Sequence, residues 1–182
     1  MTILLLLIPL VPLLWAVVQF NSLVSLRNQV AESWSNIDTE LKRRYELIPN
    51  LVATVKGYAA HERATLERLV ELRNRCAANR GPVEGQASDE RELVATLKQV
   101  LVVVENYPQL KADQHFLALQ TELINTENRI QAARRFYNGN IRDFRIKCES
   151  FPSNLIARGF GFQPEGYFTV PPAMTEVPDV QF

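Results

Sequence analysis

Residues able to do chemistry are few. The chain carries two histidines, His61 and His115, and two cysteines, Cys76 and Cys148. A di-metal site in a helical bundle needs a Glu three residues ahead of a His on two helices. Neither histidine has one, and "HE" at 61–62 lacks the second His of a zinc-protease helix. A lone His can ligate haem, but a solvated or capping His is the ordinary case. Nothing in the spacing brings a thiol beside an imidazole, as a Cys–His nucleophile requires. Two cysteines without a CxxC are too few for a disulfide framework and read as free thiols. There is no G-x-S-x-G, P-loop or Rossmann glycine pattern, and no helix pattern follows "RGFGF" (158–162) to receive a phosphate. With the usual catalytic constellations missing, the expectation is a protein that is not an enzyme and that uses no cofactor or metal.

Polar residues lying on apolar stripes are more informative. Glu62 falls between Tyr58 and Leu66, Thr126 and Glu127 fall between Leu123 and Ile130, and Arg44 adjoins Tyr45. Charges carried towards a core need partners. The expectation is a buried polar layer of Arg44, Glu62, Thr126 and Glu127 in which Arg44 meets Glu62 or Glu127. The simplest role for such a layer is to set helix register. A second concentration of charge, "RRFYNGNIRDFRIK" (134–147), holds five Arg/Lys among aromatics. The net charge of the whole chain is zero, which argues against nucleic acid as a partner. This run reads as a solvated helix face, with an anionic-lipid contact open to it if that end lies near a membrane.

The elements that must position these residues are helical. "ILLLLIPLVPLLWAVVQFNSLVSL" follows Met1 and Thr2, and residues 1–26 carry no charged side chain. Its length matches the roughly 20 residues that cross a bilayer. It lacks the basic flank and the small-x-small site of a cleaved signal peptide. An uncleaved anchor over residues 1–24 is expected, in contact with lipid through 3–24. Arg27, Lys42, Arg43 and Arg44 follow the span and place the body on the cytoplasmic side.

Beyond the anchor, apolar residues recur every three to four positions. Leu23, Leu26, Val30, Trp34, Ile37, Leu41 and Tyr45 continue the membrane run as one rod. Leu51 to Leu69, Leu93 to Val104 and Phe116 to Phe144 make three further stripes. Loops are expected at 79–90, where Ser88 or Asp89 can cap the next helix, and at 106–113 around Pro108. Pro152 ends the last long helix, and Gly139 is a place for it to fray or bend. The fold expected is all-α: a transmembrane helix continuous with an antiparallel bundle of long helices over 25–152. The tail over 153–182, rich in glycine and proline, is expected to be irregular and flexible. Pro49 decides the helix count. As a helix break it sits in the first turn of a second helix and gives four helices. As a kink it leaves three, one of them very long.

Three separated blocks then carry a family resemblance. They are "LRNQVAESWSNIDTELKRRYELIPNLVATVKGYAAHE", "YPQLKADQHFLALQTELINTENRIQAARRFYN" and "SFPSNLIA", and "GFQPEGYF" follows them. In this order they resemble the LemA family across roughly residues 21–168. The departures are "NGN" after Tyr137 and the individual linker at 79–90. The resemblance implies a bacterial protein of the cytoplasmic (inner) membrane with one N-terminal span and a soluble helical bundle. It implies no catalytic residues. Related domains occur in proteins of bacterial membrane organelles, an analogy for scaffolding at membranes. The function expected is a membrane-anchored scaffold or protein-interaction module, with other membrane or membrane-associated proteins as partners. The alternatives are a homo-oligomer that coats or shapes the membrane, and a cofactor-binding or enzymatic bundle.

Overall fold

A computed structural model describes the backbone of residues 2–173 and the side chains of 10–173 apart from Ala60. Among the described residues the regular structure is all helical. It comprises α1 (Thr2–Lys56), a 3₁₀ turn (Ala60–Glu62), α2 (Arg63–Ala78), α3 (Val83–Val104), α4 (Pro108–Lys111), α5 (Gln114–Glu149) and α6 (Ser153–Gly159). Residues 174–182, the end of the expected tail, lie outside the described residues. The chain divides into two compact units. Residues 2–35 with Arg135–Tyr167 make an anchor unit, and Asn36–Arg134 with residues 168–173 make a central unit.

In the anchor unit, α1 is long and apolar enough to cross a membrane, and only 6% of its most apolar window is buried. Leu10, Val11, Leu13, Leu14, Val17 and Val18 all point outward. Further along, Leu23 and Val30 are buried, as are Tyr137, Ile141 and Phe144 of α5. The Trp34 and Tyr137 rings lie 5.3 Å apart. α5 passes through Asn138–Gly139 without interruption, so the expected fraying does not occur. The buried neighbours Tyr137 and Ile141 hold the turn, and Asn140 donates to the Gln29 carbonyl at 3.3 Å. Packing outweighs the ~1 kcal/mol that a helical glycine costs.

The tail departs from expectation. Residues 153–159 are helical, and beyond them Phe162, Phe168, Val170 and Ala173 are buried. Proline and glycine exclude regular helix here, but they do not exclude burial of the apolar side chains between them. Gly161, at φ 70°, closes α6: its N–H bonds the Arg158 carbonyl and the Phe162 N–H reaches back to that of Ala157. This left-handed cap accounts for the glycine in "RGFGF" without any ligand.

The central unit contains residues 36–56 of α1, then α2, α3 and α4, and residues 114–134 of α5. Ile37, Leu41, Ile48, Leu51, Leu69, Leu93, Leu97, Phe116 and Leu123 form its core. Phe168 and Val170 bury themselves in the same unit, where Arg91 donates to the Thr169 carbonyl at 3.2 Å. Asp113 caps α5, its Oδ1 accepting the Phe116 N–H at 3.0 Å.

Pro49 does not break the helix, because α1 runs on to Lys56. In a regular helix the N–H at position 49 would bond the Tyr45 carbonyl, and proline has no N–H to give. Arg73 of α2 supplies the missing donor: its Nε lies 2.9 Å from that carbonyl oxygen. The chain leaves the helix at Gly57 instead, where the Tyr58 and Ala59 N–H groups both turn back to the Val55 carbonyl. Glycine is a poor helix former, and no side chain there can anchor another turn. The loop expected at 79–90 is also shorter, since α3 starts at Val83 directly after Pro82. Proline's fixed φ suits a helix start, and Val83, Ala87 and Glu90 extend the buried stripe of Leu93 and Leu97 backwards.

Candidate functional site

Within the central unit, Arg44 of α1 is wholly buried. Its Nη1 donates to Glu127 Oε2 of α5 at 3.1 Å, and its Nη2 donates to Glu90 Oε2 of α3. The Tyr45 hydroxyl donates to the other oxygen of Glu90. Arg73 of α2 holds the Tyr45 carbonyl. One layer therefore ties together residues from α1, α2, α3 and α5.

The side chains expected to form a polar layer divide. Arg44 and Glu127 meet. Thr126 is buried one position away but faces elsewhere: it accepts from Arg129 Nη2 at 3.1 Å, while Arg129 also pairs with Glu40 and Glu122. Glu62 is not part of the layer. It belongs to the 3₁₀ turn, is only partly buried, and makes no contact with Arg44 among those resolved. The chain leaves its helix at Gly57, so the periodicity that placed Glu62 on an apolar stripe does not extend that far. Glu90 takes the place given to Glu62. The glycine-proline composition of 79–90 hid it. The signal that reveals it is the spacing Val83, Ala87, Glu90, Leu93, Leu97, in which an acid stands at a core position.

Burial by itself disfavours the Arg44 charge, but the facing carboxylates of Glu90 and Glu127 outweigh it and raise the pKa above its usual range. Burial, with the adjacent Glu90 carboxylate, pushes the Tyr45 phenol far up. Burial does the same to the Cys76 thiol, which also neighbours Glu90. Both groups are held protonated. Cys148 is free and buried, and burial raises its pKa too. Neither thiol has the thiolate character that a nucleophile needs. His61 and His115 are exposed, one in the 3₁₀ turn and one in the first turn of α5. Among the described residues no group of three His, Cys, Asp or Glu side chains is placed to hold a metal. The Arg44 charge is met by Glu90 and Glu127, while its Nε is buried without a hydrogen-bond partner, so the layer acts as a clamp between helices.

Elsewhere in this unit a cleft of about 430 Å³ opens between the end of α1 and the start of α2. Val52, Ala59, Leu66 and Val70 line it together with Lys56, Arg63 and Glu67.

The model of the LemA family matches residues 33–182. Magnetosome protein MamQ 2 of Paramagnetospirillum magneticum is 24% identical over 180 residues, covering 85% of this chain and 66% of its own length. Magnetosome protein MamQ of Magnetospirillum gryphiswaldense is 22% identical with the same coverage. Protein LemA of Metamycoplasma hominis is 25% identical over 142 residues, which is 76% of this chain and 63% of that protein. The chain thus spans slightly less than two thirds of the length of these relatives. Their names state no reaction.

Proposed function

The chain belongs to the LemA family, and on that premise we propose that it is a non-enzymatic scaffold, anchored in a bacterial cytoplasmic membrane by its first helix. The observation that carries this is α1. It begins with apolar side chains turned outward from Leu10 to Val18 and continues without a break to Lys56, where its residues bury themselves among other helices. Such a helix presents to its surroundings what a lipid phase favours, then what a packed core favours.

Two further features support the reading. The buried ion layer joins helices through Arg44, Glu90 and Glu127 and so clamps them together, which suits a rigid body. The cleft beside Val52 and Leu66 is lined by apolar side chains together with Lys56, Arg63 and Glu67, a mixed composition that suits a site for another polypeptide. Arg27, Lys42 and Arg43 follow the span, and this positive charge supports a body on the cytoplasmic side. Tethering to a surface makes weak contacts effective by raising local concentration. The names of the MamQ relatives place those proteins in the magnetosome, and a scaffolding role at a membrane fits that setting.

Crosslinking in native membranes, then extraction in detergent and affinity recovery of the full chain, tests the proposal. Discrete partner proteins are expected. Recovery of free monomer alone at native abundance overturns it, and a ladder containing only copies of this chain favours a self-assembling coat instead.

A further inference from the structure

We propose that the corner between α5 and α6 dips into the bilayer that α1 crosses, so that the anchor unit holds the membrane at two places. The proposal rests on the anchor reading of α1 and adds a second lipid contact that lies far along the chain from the first.

The corner is apolar where it has no protein neighbour. Phe151 is 80% exposed, Phe160 66% and Leu155 59%, and Ile146 on the last turns of α5 is also exposed. So large an outward apolar cluster is unusual on a surface facing water. Its height along α1 is set by contacts inside the unit. Trp15, Gln19 and Leu26 share a cleft of about 340 Å³ with Ile146, Phe151 and Ser153. The Phe20 ring packs edge-on against Phe160 at 4.9 Å and Phe162 at 5.6 Å. The corner therefore lies beside residues 15–26, at the end of the charge-free stretch.

A helix rises about 1.5 Å per residue and the hydrocarbon core is about 30 Å thick, so roughly 20 residues span it. With the anchor over residues 3–24, Trp15, Gln19 and Phe20 lie inside the span and Leu26 just beyond it, so the corner packed against them sits at the hydrocarbon boundary, where interfacial helices settle.

The backbone and hydroxyl donors of the corner suit that depth, whereas Asn154 Oδ1 is buried without a hydrogen-bond partner and Glu149 carries an exposed carboxylate there. Ser153 Oγ donates to the carbonyls of Lys147 and Ser150 at 2.7 and 2.9 Å. The N–H groups of Ser150, Asn154, Leu155, Phe160, Gly161 and Phe162 all bond carbonyls of the same segment. Leaving water therefore strands none of these donors. Asp143, which also borders the cleft, is paired with Arg142 at 2.9 Å. Lys147 and Arg158 have stems long enough to bring their charges up to lipid headgroups, and Arg27 sits over the Phe162 ring at 5.3 Å on the same side. These cations favour an anionic leaflet. A partner protein would have to supply an apolar socket at the depth where α1 already meets lipid, so lipid is the occupant that the position selects.

The test uses the full chain with Cys76→Ala and Cys148→Ala, reconstituted in vesicles of phosphatidylcholine with a minority of phosphatidylglycerol. Single nitroxides are introduced through Leu13→Cys, Phe151→Cys, Leu155→Cys and Val102→Cys. Collisions with oxygen, which enriches in lipid, are compared with collisions with a water-soluble nickel chelate. The expected oxygen-to-nickel ratio at 151 and 155 is several-fold above that at 102 and close to that at 13. If 151 and 155 behave like 102 while 13 reads as lipid, the anchor stands and the corner proposal falls. If 13 also reads as aqueous, the anchor reading falls and takes the corner with it. Shielding of 151 and 155 from both reagents means that protein, such as a second copy, covers the corner, and this too overturns the proposal.

Discussion

The two units solve opposite problems with the same helices. The anchor unit places large apolar side chains on its outside, from Leu10 to Val18 and again at Phe151, Leu155 and Phe160. The central unit places charge on its inside, with Arg44, Glu90 and Glu127 all buried. A water-soluble surface has no use for the first arrangement and a membrane-embedded one no need of the second. Taken together they teach that residue type alone does not say which side of a helix faces the solvent: the solvent itself differs along α1. Inside the central unit a charge is tolerable because every charged partner is held by another. Outside the anchor unit an exposed leucine is tolerable because nothing polar need be excluded there.

The comparison breaks most easily at Arg44. Arg44→Met leaves two carboxylates buried without a cation, and a loss of about 3–5 kcal/mol is expected in chemical denaturation of the solubilised chain. Replacing the group as a whole, with Glu90→Leu, Glu127→Leu and Tyr45→Phe added, should recover most of that loss. If Arg44→Met alone is neutral, the layer is not the clamp described above.

Leu14 and Val102 are almost equally exposed, one in each unit. Leu14→Arg should make membrane insertion less favourable by about 2.5–3.5 kcal/mol, while the same change at Val102 leaves insertion untouched. Equal insertion of the two variants in a glycosylation-mapping assay would erase the distinction between the units.

Next comes the proline in α1. Arg73→Ala is expected to cost about 1–3 kcal/mol, because it strands the Tyr45 carbonyl. Pro49→Ala restores a backbone donor to the same oxygen, so the Arg73→Ala penalty should shrink in that background. Strict additivity in the cycle would mean that the two donors do not substitute for one another.

The smallest effect concerns Tyr45. Tyr45→Phe should cost about 1 kcal/mol near neutrality. The folded pKa values of Tyr45 and Cys76 are raised above their ordinary values of 10.0 and 9.0. An unfolded chain then loses these protons before the folded one does. Their contribution is complete below about pH 9 and drains away as pH rises through 9 and 10 towards the higher folded values. Melting temperatures recorded across that range should fall, and fall less steeply in Tyr45→Phe. Identical alkaline profiles for the two proteins would remove the phenol from the account.

Much of this was legible before any coordinates. The 3.6-residue period marks every long helix, the charge-free start marks the apolar one, and missing motif spacings direct attention away from the histidines and cysteines. Arg44 and Glu127 stand out because charged residues at core positions need partners. Glu62 misleads for a local reason: it keeps the helical spacing of Leu66 after Gly57 has already ended the helix. Pro49 misleads for the opposite reason. Proline is a break signal only if nothing else bonds the carbonyl it strands, and the group that does so is an arginine on another helix.

The amino-acid sequence by itself determined the helical periodicity, the apolar stretch that α1 carries, and the presence of charges that had to be neutralised inside. These follow from neighbours a few residues apart, which interact wherever the chain goes. Only the tertiary structure decided that Glu90 and not Glu62 faces Arg44, that Arg73 answers for Pro49, and that the aromatics of the tail find Phe20 in one unit and bury Phe168 in the other. Each of these pairings joins positions remote in sequence, and the cost of leaving a buried charge, carbonyl or ring unpartnered becomes visible only when the packing has chosen its neighbours.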